Sequence, residues 1–300
     1  MIEPLFILAP PRSFTSISCG MIGSHPALFG LAEVNIFAVE TVGELMEMHR
    51  TRRRLQNGIL RSLAELAFGE QSETTCEAAR RWLVANPDMT TAELFRTLQE
   101  WAEGRGLVDK SPLHVYAPDA LSRIASHFPE ARFLHLTRHP GDTIESILKL
   151  KSEMRAQALA RFPLLAGRAE PFDPEAPEKM WLKPHLAIMN LLDTLPGERW
   201  MRIRGEDLLA NPRVILARIA GWLGISTSNE AIGAMMHPES SPFARPGPAN
   251  APYGNDPAFM DHPGLRPFDW TPRPMEWSRP DGKIVPLSAT VSSCGMKLGY

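Results

Sequence analysis

A chain of 300 residues with 44% apolar content has the length and composition of one large globular unit with a real core. Its formal net charge of −2 argues against the broad basic face that nucleic acid or an anionic membrane surface requires, although a local anion site remains compatible with it. Three cysteines, Cys19, Cys76 and Cys294, cannot form a fully paired framework and show no CxxC spacing, so they are expected as reduced core residues with no metal to hold.

The start, Met1-Ile2-Glu3-Pro4, has no basic region, and the apolar run 5–9 stops at Pro10-Pro11. A signal peptide needs roughly 7–15 apolar residues and a membrane span about 20, so the expectation is a soluble, cytoplasmic protein with no membrane partner. The run itself is too short for a helix and reads as a buried parallel strand. Residues 16–22 are small and apolar and end in Gly23-Ser24-His25-Pro26, the pattern of a short helix and its stop. The segment Arg12-Ser13-Phe14-Thr15-Ser16 therefore connects a strand to a helix N-terminus.

Apolar residues recur at helical spacing through 39–68, with Arg52, Arg53 and Arg54 beside the stripe, expected on a solvated face. Helices are expected over 76–86 and 90–103, the latter with Thr90 and Thr91 as cap residues ahead of Glu93. A brief strand, Leu107-Val108, precedes a helix over 117–128. A clear strand over 131–137 runs straight into a helix over 140–154, where Pro140 suits the first turn because its missing N–H has no partner there. A strand over 200–204, the turn Asn211-Pro212 and a helix over 213–223 follow. From 237 to 280 prolines are dense and periodicity is lost; a loop of this length is either functional or disordered, and the functional expectation is a lid over the site. The segment 286–300 is weakly helical. Strands alternating with helices predict an α/β fold: a parallel sheet with helices on both faces, in a single domain over 1–300.

A strand, a short loop and a helix N-terminus make an anion site, because unpaired N–H groups and the helix dipole both favour negative charge. Here Arg12 adds a fixed cation and Ser13, Thr15 and Ser16 add hydroxyl donors; an N-capped helix with a surface arginine is the plainer alternative. The glycines and lysine of a Walker A motif, GxxxxGK[ST], are absent. A second strand-to-helix connection carries Arg138 at the strand end and Ser146 two helical turns on, within His135-Leu136-Thr137-Arg138-His139-Pro140-Gly141-Asp142-Thr143-Ile144-Glu145-Ser146. Ligands of open α/β sheets bind at such strand ends, so two loops of this kind can hold two phosphates of one nucleotide.

These segments resemble those of sulfotransferases that use 3′-phosphoadenosine 5′-phosphosulfate (PAPS). Pro11-Arg12-Ser13-Phe14-Thr15-Ser16 resembles their 5′-phosphosulfate loop, in the arginine-bearing form of bacterial and tyrosylprotein members. The segment from Arg138 to Ser146 resembles their 3′-phosphate motif. Asp109-Lys110-Ser111-Pro112, Phe128-Pro129-Glu130-Ala131-Arg132-Phe133 and Arg204-Gly205-Glu206-Asp207-Leu208 through Asn211-Pro212 resemble three further stretches, in the family's order.

The resemblance implies a P-loop-like three-layer α/β/α fold and transfer of a sulfuryl group from PAPS to a hydroxyl acceptor, expected to be a small molecule, with no metal. It implies contacts to the donor from Arg12, Ser13, Phe14, Thr15, Ser16, Arg138 and Ser146, with Lys110 near the moving sulfate. After His25-Pro26, the run Gly30-Leu31-Ala32-Glu33 places Glu33 where the arginine-type members carry their general base; Glu40, Glu44 and His49 are rivals, His49 being expected on a solvated face. Two positions depart from the pattern: Phe14 replaces a usual glycine, and Gly205 a frequent tyrosine. They keep a catalytically silent nucleotide-binding module as an alternative, and a P-loop kinase is a second. His139 is expected to serve its own strand–helix turn. Acceptor-lining segments are expected over 36–68 and 154–181.

Overall fold

In the strand β1 (Leu5–Leu8) every residue is buried, and successive side chains enter opposite layers. Phe6 and Leu8 join one hydrophobic cluster and Leu5 and Ile7 another, the alternation that a strand covered on both faces imposes. The computed structural model describes residues 2–117, 119–161, 175–279 and 281–300. Among these, β1 is the middle of a five-stranded parallel sheet with β2 (Leu28–Gly30), β3 (Gly106–Asp109), β4 (Arg132–Thr137) and β5 (Trp200–Arg204), in the order β2-β3-β1-β4-β5. Leu5 pairs with both Val108 and Arg132, and Thr137 with Arg204, so the carboxyl ends of β1, β3, β4 and β5 open on one rim.

Helices cover both faces, as the alternation predicts. On one side α1 (Thr15–Gly23) packs with α9 (Gly205–Ala210), α10 (Pro212–Leu223) and α11 (Asn229–Met235) through Met21, Ile22, Leu208, Leu216, Ile219 and Met235. On the other lie α2 (Val42–Thr51), α3 (Gln56–Phe68), α4 (Glu73–Ala85), α5 (Thr91–Trp101), α6 (Ala120–His127) and α8 (Glu175–Leu192). Phe6 centres that layer, its ring within 6.2 Å of those of Phe37, Phe95, His114, Phe128 and Phe133. All three cysteines are free and buried.

The run 39–68 is two helices and not one, because Arg52 leaves helical geometry (φ −124°, ψ 61°) and a 3-10 turn over Arg53–Leu55 redirects the chain. Thr90 and Glu93 form the capping box expected of α5. The helix α7 (Pro140–Arg161) runs a further two turns beyond its expected end. The helix α8 carries Pro184 inside it, which hides it from a propensity reading. Residues 162–174 of the expected acceptor segment 154–181 lie outside those described. Within 237–280 the chain forms α12 (Pro257–Asp261) and β6 (Glu276–Ser278), which pairs antiparallel with β7 (Ile284–Pro286) ahead of α13 (Ala289–Lys297). Among the described residues no helix is long and apolar enough to cross a membrane.

His49 is not on a solvated face: it is 3% exposed, because α4 covers that side of α2. Burial, with a lesser push from Arg80, holds its pKa down at about 4; burial and then Arg202 hold that of His185 at about 3. Both rings are neutral in the folded chain and titrate near 6.5 once unfolded. The unfolded state thus binds more protons below 6.5, and stability falls as the pH drops from there towards 4. Urea melts at pH 7.5 and 5.0 should show this loss, and His49→Gln should make it smaller; an equally steep loss in that variant would clear His49.

Candidate active site

The connection from β1 to α1 is strained. Arg12 and Phe14 both sit in the left-handed region, at φ 67° and 61°, where a bulky side chain is an outlier. The helix α1 opens at Phe14 without a side-chain cap. Ser13 Oγ is fully buried and, among the described residues, has no hydrogen-bond partner. A loop with an uncapped helix start and a buried, unpaired hydroxyl is built to meet an acceptor-rich group.

The second loop, from β4 to α7, lies against the first. Arg138 Nη1 donates to the backbone carbonyl of Arg12 at 2.7 Å, and its guanidinium carbon stands 4.4 Å from the centroid of the Phe14 ring. Its Nε has no partner among the described residues. Burial draws the Arg138 pKa down against the pull of Asp142 and Glu206, a cost that an anion would relieve. Arg12 Nε donates to Ser146 Oγ at 3.1 Å, and its Nη1 forms an ion pair with Asp256. The two loops, whose arginines lie 126 residues apart in the chain, therefore share one hydrogen-bonded surface.

Lys110 is the third component. Asp109 Oδ1 accepts from the backbone N–H and hydroxyl of Ser111, at 2.9 and 2.6 Å, closing a tight turn after β3. That turn sends the Lys110 side chain inward, where it is fully buried and not an exposed turn residue. Its Nζ donates to Ser16 Oγ at 2.9 Å and to Glu33 Oε1 at 2.5 Å, so one ammonium joins the phosphate loop to a carboxylate. Glu33 keeps 27% of its side chain exposed. Its backbone is fastened by a 2.8 Å bond from its N–H to Gly254 O and by Gly58 of α3, where a Cβ would stand 2.0 Å from Glu33 O.

The rivals to Glu33 have other work. Glu44 and Thr41 form the capping box of α2, and Glu40 pairs with Arg123. His49 lies in the helical layer described above. The backbone of His139 is held in its turn: its N–H donates to Glu206 Oε1 at 2.8 Å and its carbonyl accepts from Thr143, while both ring nitrogens lack a hydrogen-bond partner among the described residues. Arg52, Arg53 and Arg54 are exposed, with Arg54 stacked on Tyr253 at 4.7 Å. Thr15 is the first residue of α1.

Arg12, Glu33 and Ser146 line one cleft of about 700 Å³, completed by Arg54, Leu55, Lys149, Leu150 and residues 253–258. Residues 253–258 fall within the expected lid 237–280, in which the sequence singles out no site residue, although Asp256-Pro257 is a legible helix start: Asp256 Oδ1 caps α12 by accepting from Ala258. Nothing in the sequence ties Asp256 to Arg12. Among the described residues no group of three or more His, Cys, Asp or Glu side chains is placed to hold a metal ion.

A sequence profile of the sulfotransferase family matches residues 4–229. Two solved structures share the fold over the whole of this chain. The sulfotransferase domain from the curacin biosynthetic pathway superposes with a TM-score of 0.77 at 23% identity, over 98% of its own length. The sulfotransferase domain of the Synechococcus PCC 7002 olefin synthase gives 0.75 at 24% identity, over 96%. Among curated proteins no sequence matches.

Proposed function

The chain belongs to the sulfotransferase family, and on that premise we propose that it moves a sulfuryl group from PAPS to the hydroxyl of a small-molecule acceptor. The observation that carries this reading is the convergence of Arg12, Ser13, Arg138 and Ser146 on one surface beside a buried lysine–glutamate pair. The Ser13 hydroxyl and Arg138 Nε, without partners among the described residues, fit a ligand rich in phosphate oxygens. In this reading the loop from Arg12 to Ser16 and the start of α1 hold the 5′ side of the donor, and Arg138 with Ser146 holds the 3′-phosphate. The donor supplies the sulfuryl group and leaves as adenosine 3′,5′-bisphosphate.

The chain's own residues do the rest. Glu33, at the cleft wall, accepts the proton that the acceptor oxygen loses as its new bond to sulfur forms. Lys110, held between Glu33 and Ser16, orients that carboxylate and supplies positive charge where the sulfate moves. Arg12 neutralises the phosphate that the breaking S–O bond leaves behind. Leu55, Leu150 and Tyr253 give the acceptor side an apolar wall. The segment 237–280, through residues 253–258, covers this cleft.

Isothermal titration without added metal tests the reading. Adenosine 3′,5′-bisphosphate should bind far more tightly than adenosine 5′-monophosphate, and failure to bind either would remove the donor assignment. Asp256 adds a finer expectation, since it occupies Arg12 in the free chain. Asp256→Asn keeps the helix cap and removes the charge, and should tighten adenosine 3′,5′-bisphosphate by about two- to fivefold, the scale of a part-exposed ion pair. Weaker binding in that variant would mean that Asp256 helps to hold the ligand instead.

A further inference from the structure

Phe14 and Gly205 are in contact. A Cβ on Gly205 would stand 2.4 Å from Phe14 Cδ2, so the ring fills the space into which any side chain at 205 would project. The same ring lies under the Arg138 guanidinium at 4.4 Å and meets Phe268 edge-on, with centroids 5.7 Å apart. Gly205 has no need of glycine for backbone freedom: it is the first residue of α9 and does not take a positive φ. Its glycine is explained by the ring alone. Phe14, conversely, sits in a conformation that suits glycine and disfavours phenylalanine, so its place in the loop rests on what the ring touches.

We propose that Phe14 is a positioning residue for Arg138, its ring seating the guanidinium that faces the 3′-phosphate, and that Gly205 exists to admit that ring. This rests on the PAPS reading above. The two departures from the family pattern are then one device: bulk moves from position 205 to position 14, and the loop arginine gains a flat, apolar seat on which it keeps its donors free.

The test is titration of wild type, Phe14→Leu, Phe14→Tyr, Gly205→Ala and the Phe14→Leu/Gly205→Ala double variant with adenosine 3′,5′-bisphosphate and adenosine 5′-monophosphate. The ratio of the two affinities reads the 3′-phosphate alone. Phe14→Leu keeps bulk and loses the ring, while Gly205→Ala pushes the ring aside and, as alanine in a helix, does not weaken α9. Each should cut the ratio by about tenfold, with 5′-monophosphate affinity falling by less than that of the bisphosphate. Phe14→Tyr should keep the wild-type ratio. The double variant should lose no more than the worse single one, since both act on one contact. A wild-type ratio in both Phe14→Leu and Gly205→Ala overturns the proposal, as does an equal loss of both ligands. A wild type that does not discriminate between the ligands overturns the PAPS reading, and this proposal with it.

Discussion

Glu33→Gln is expected to lower turnover by about 10²–10⁴-fold, the range of a positioned general base, while adenosine 3′,5′-bisphosphate binds as before. Glutamine keeps the shape of the side chain and an oxygen for the Lys110 N–H donor, but it cannot take a proton from the acceptor. In the proposed arrangement donor binding is spared, because Glu33 lies in the wall of the cleft and its carboxylate meets the phosphate loop through Lys110 and Ser16. The substitution also leaves the Lys110 ammonium, which is fully buried, without its counter-charge, so some loss of thermal stability is expected alongside. Single-turnover rates at saturating PAPS, read beside the calorimetric affinity, separate the two effects. A variant that folds, binds nucleotide and turns over at the wild-type rate would remove Glu33 from the mechanism. Wild-type chemistry with lost nucleotide affinity would place it on the donor side.

Arg138→Ala should weaken adenosine 3′,5′-bisphosphate by roughly 30- to 150-fold, which corresponds to losing about 2–3 kcal/mol of charge-assisted hydrogen bonding. Adenosine 5′-monophosphate should be affected far less. The selectivity follows from where the guanidinium is held. Its Nη1 is bonded to the Arg12 carbonyl and its face lies on Phe14, which holds the side chain and leaves Nε without a partner among the described residues. The loss should shrink with added salt, as for any charge contact that is not fully enclosed. Equal losses for both nucleotides would mean that Arg138 supports the loop of Arg12 through its carbonyl bond and does not read the 3′-phosphate.

The strand β1 was legible as an apolar run stopped by Pro10-Pro11, and β4 and β5 as short stretches with apolar residues ahead of the helix signals at Pro140 and Asn211-Pro212, while the capping box at Thr90 and Glu93 marked α5 from local chemistry alone. The three-residue strand β2 and the helix α9 were missed, both too short to show a period. The helix α8 was missed because Pro184 is tolerated only through its packing into the sheet-covering layer. His49 was misplaced for a related reason. A polar residue on an amphipathic helix reads as solvent-facing until a second helix is known to lie over it.

The site divides along the same line. Sequence alone determined the make-up of the two loops, because strand, arginine, hydroxyls and helix start follow one another within a few residues. It also marked Phe14 and Gly205 as exceptions, one by one. Only the tertiary structure decided that Lys110 is buried against Glu33, that Asp256 neutralises Arg12, and that Phe14 and Gly205 fill one space. Those pairs lie 77, 244 and 191 residues apart in the chain. Local sequence encodes backbone conformation, whereas contacts between distant side chains follow from strand order and helix packing, which bring the loop ends onto one rim of the sheet.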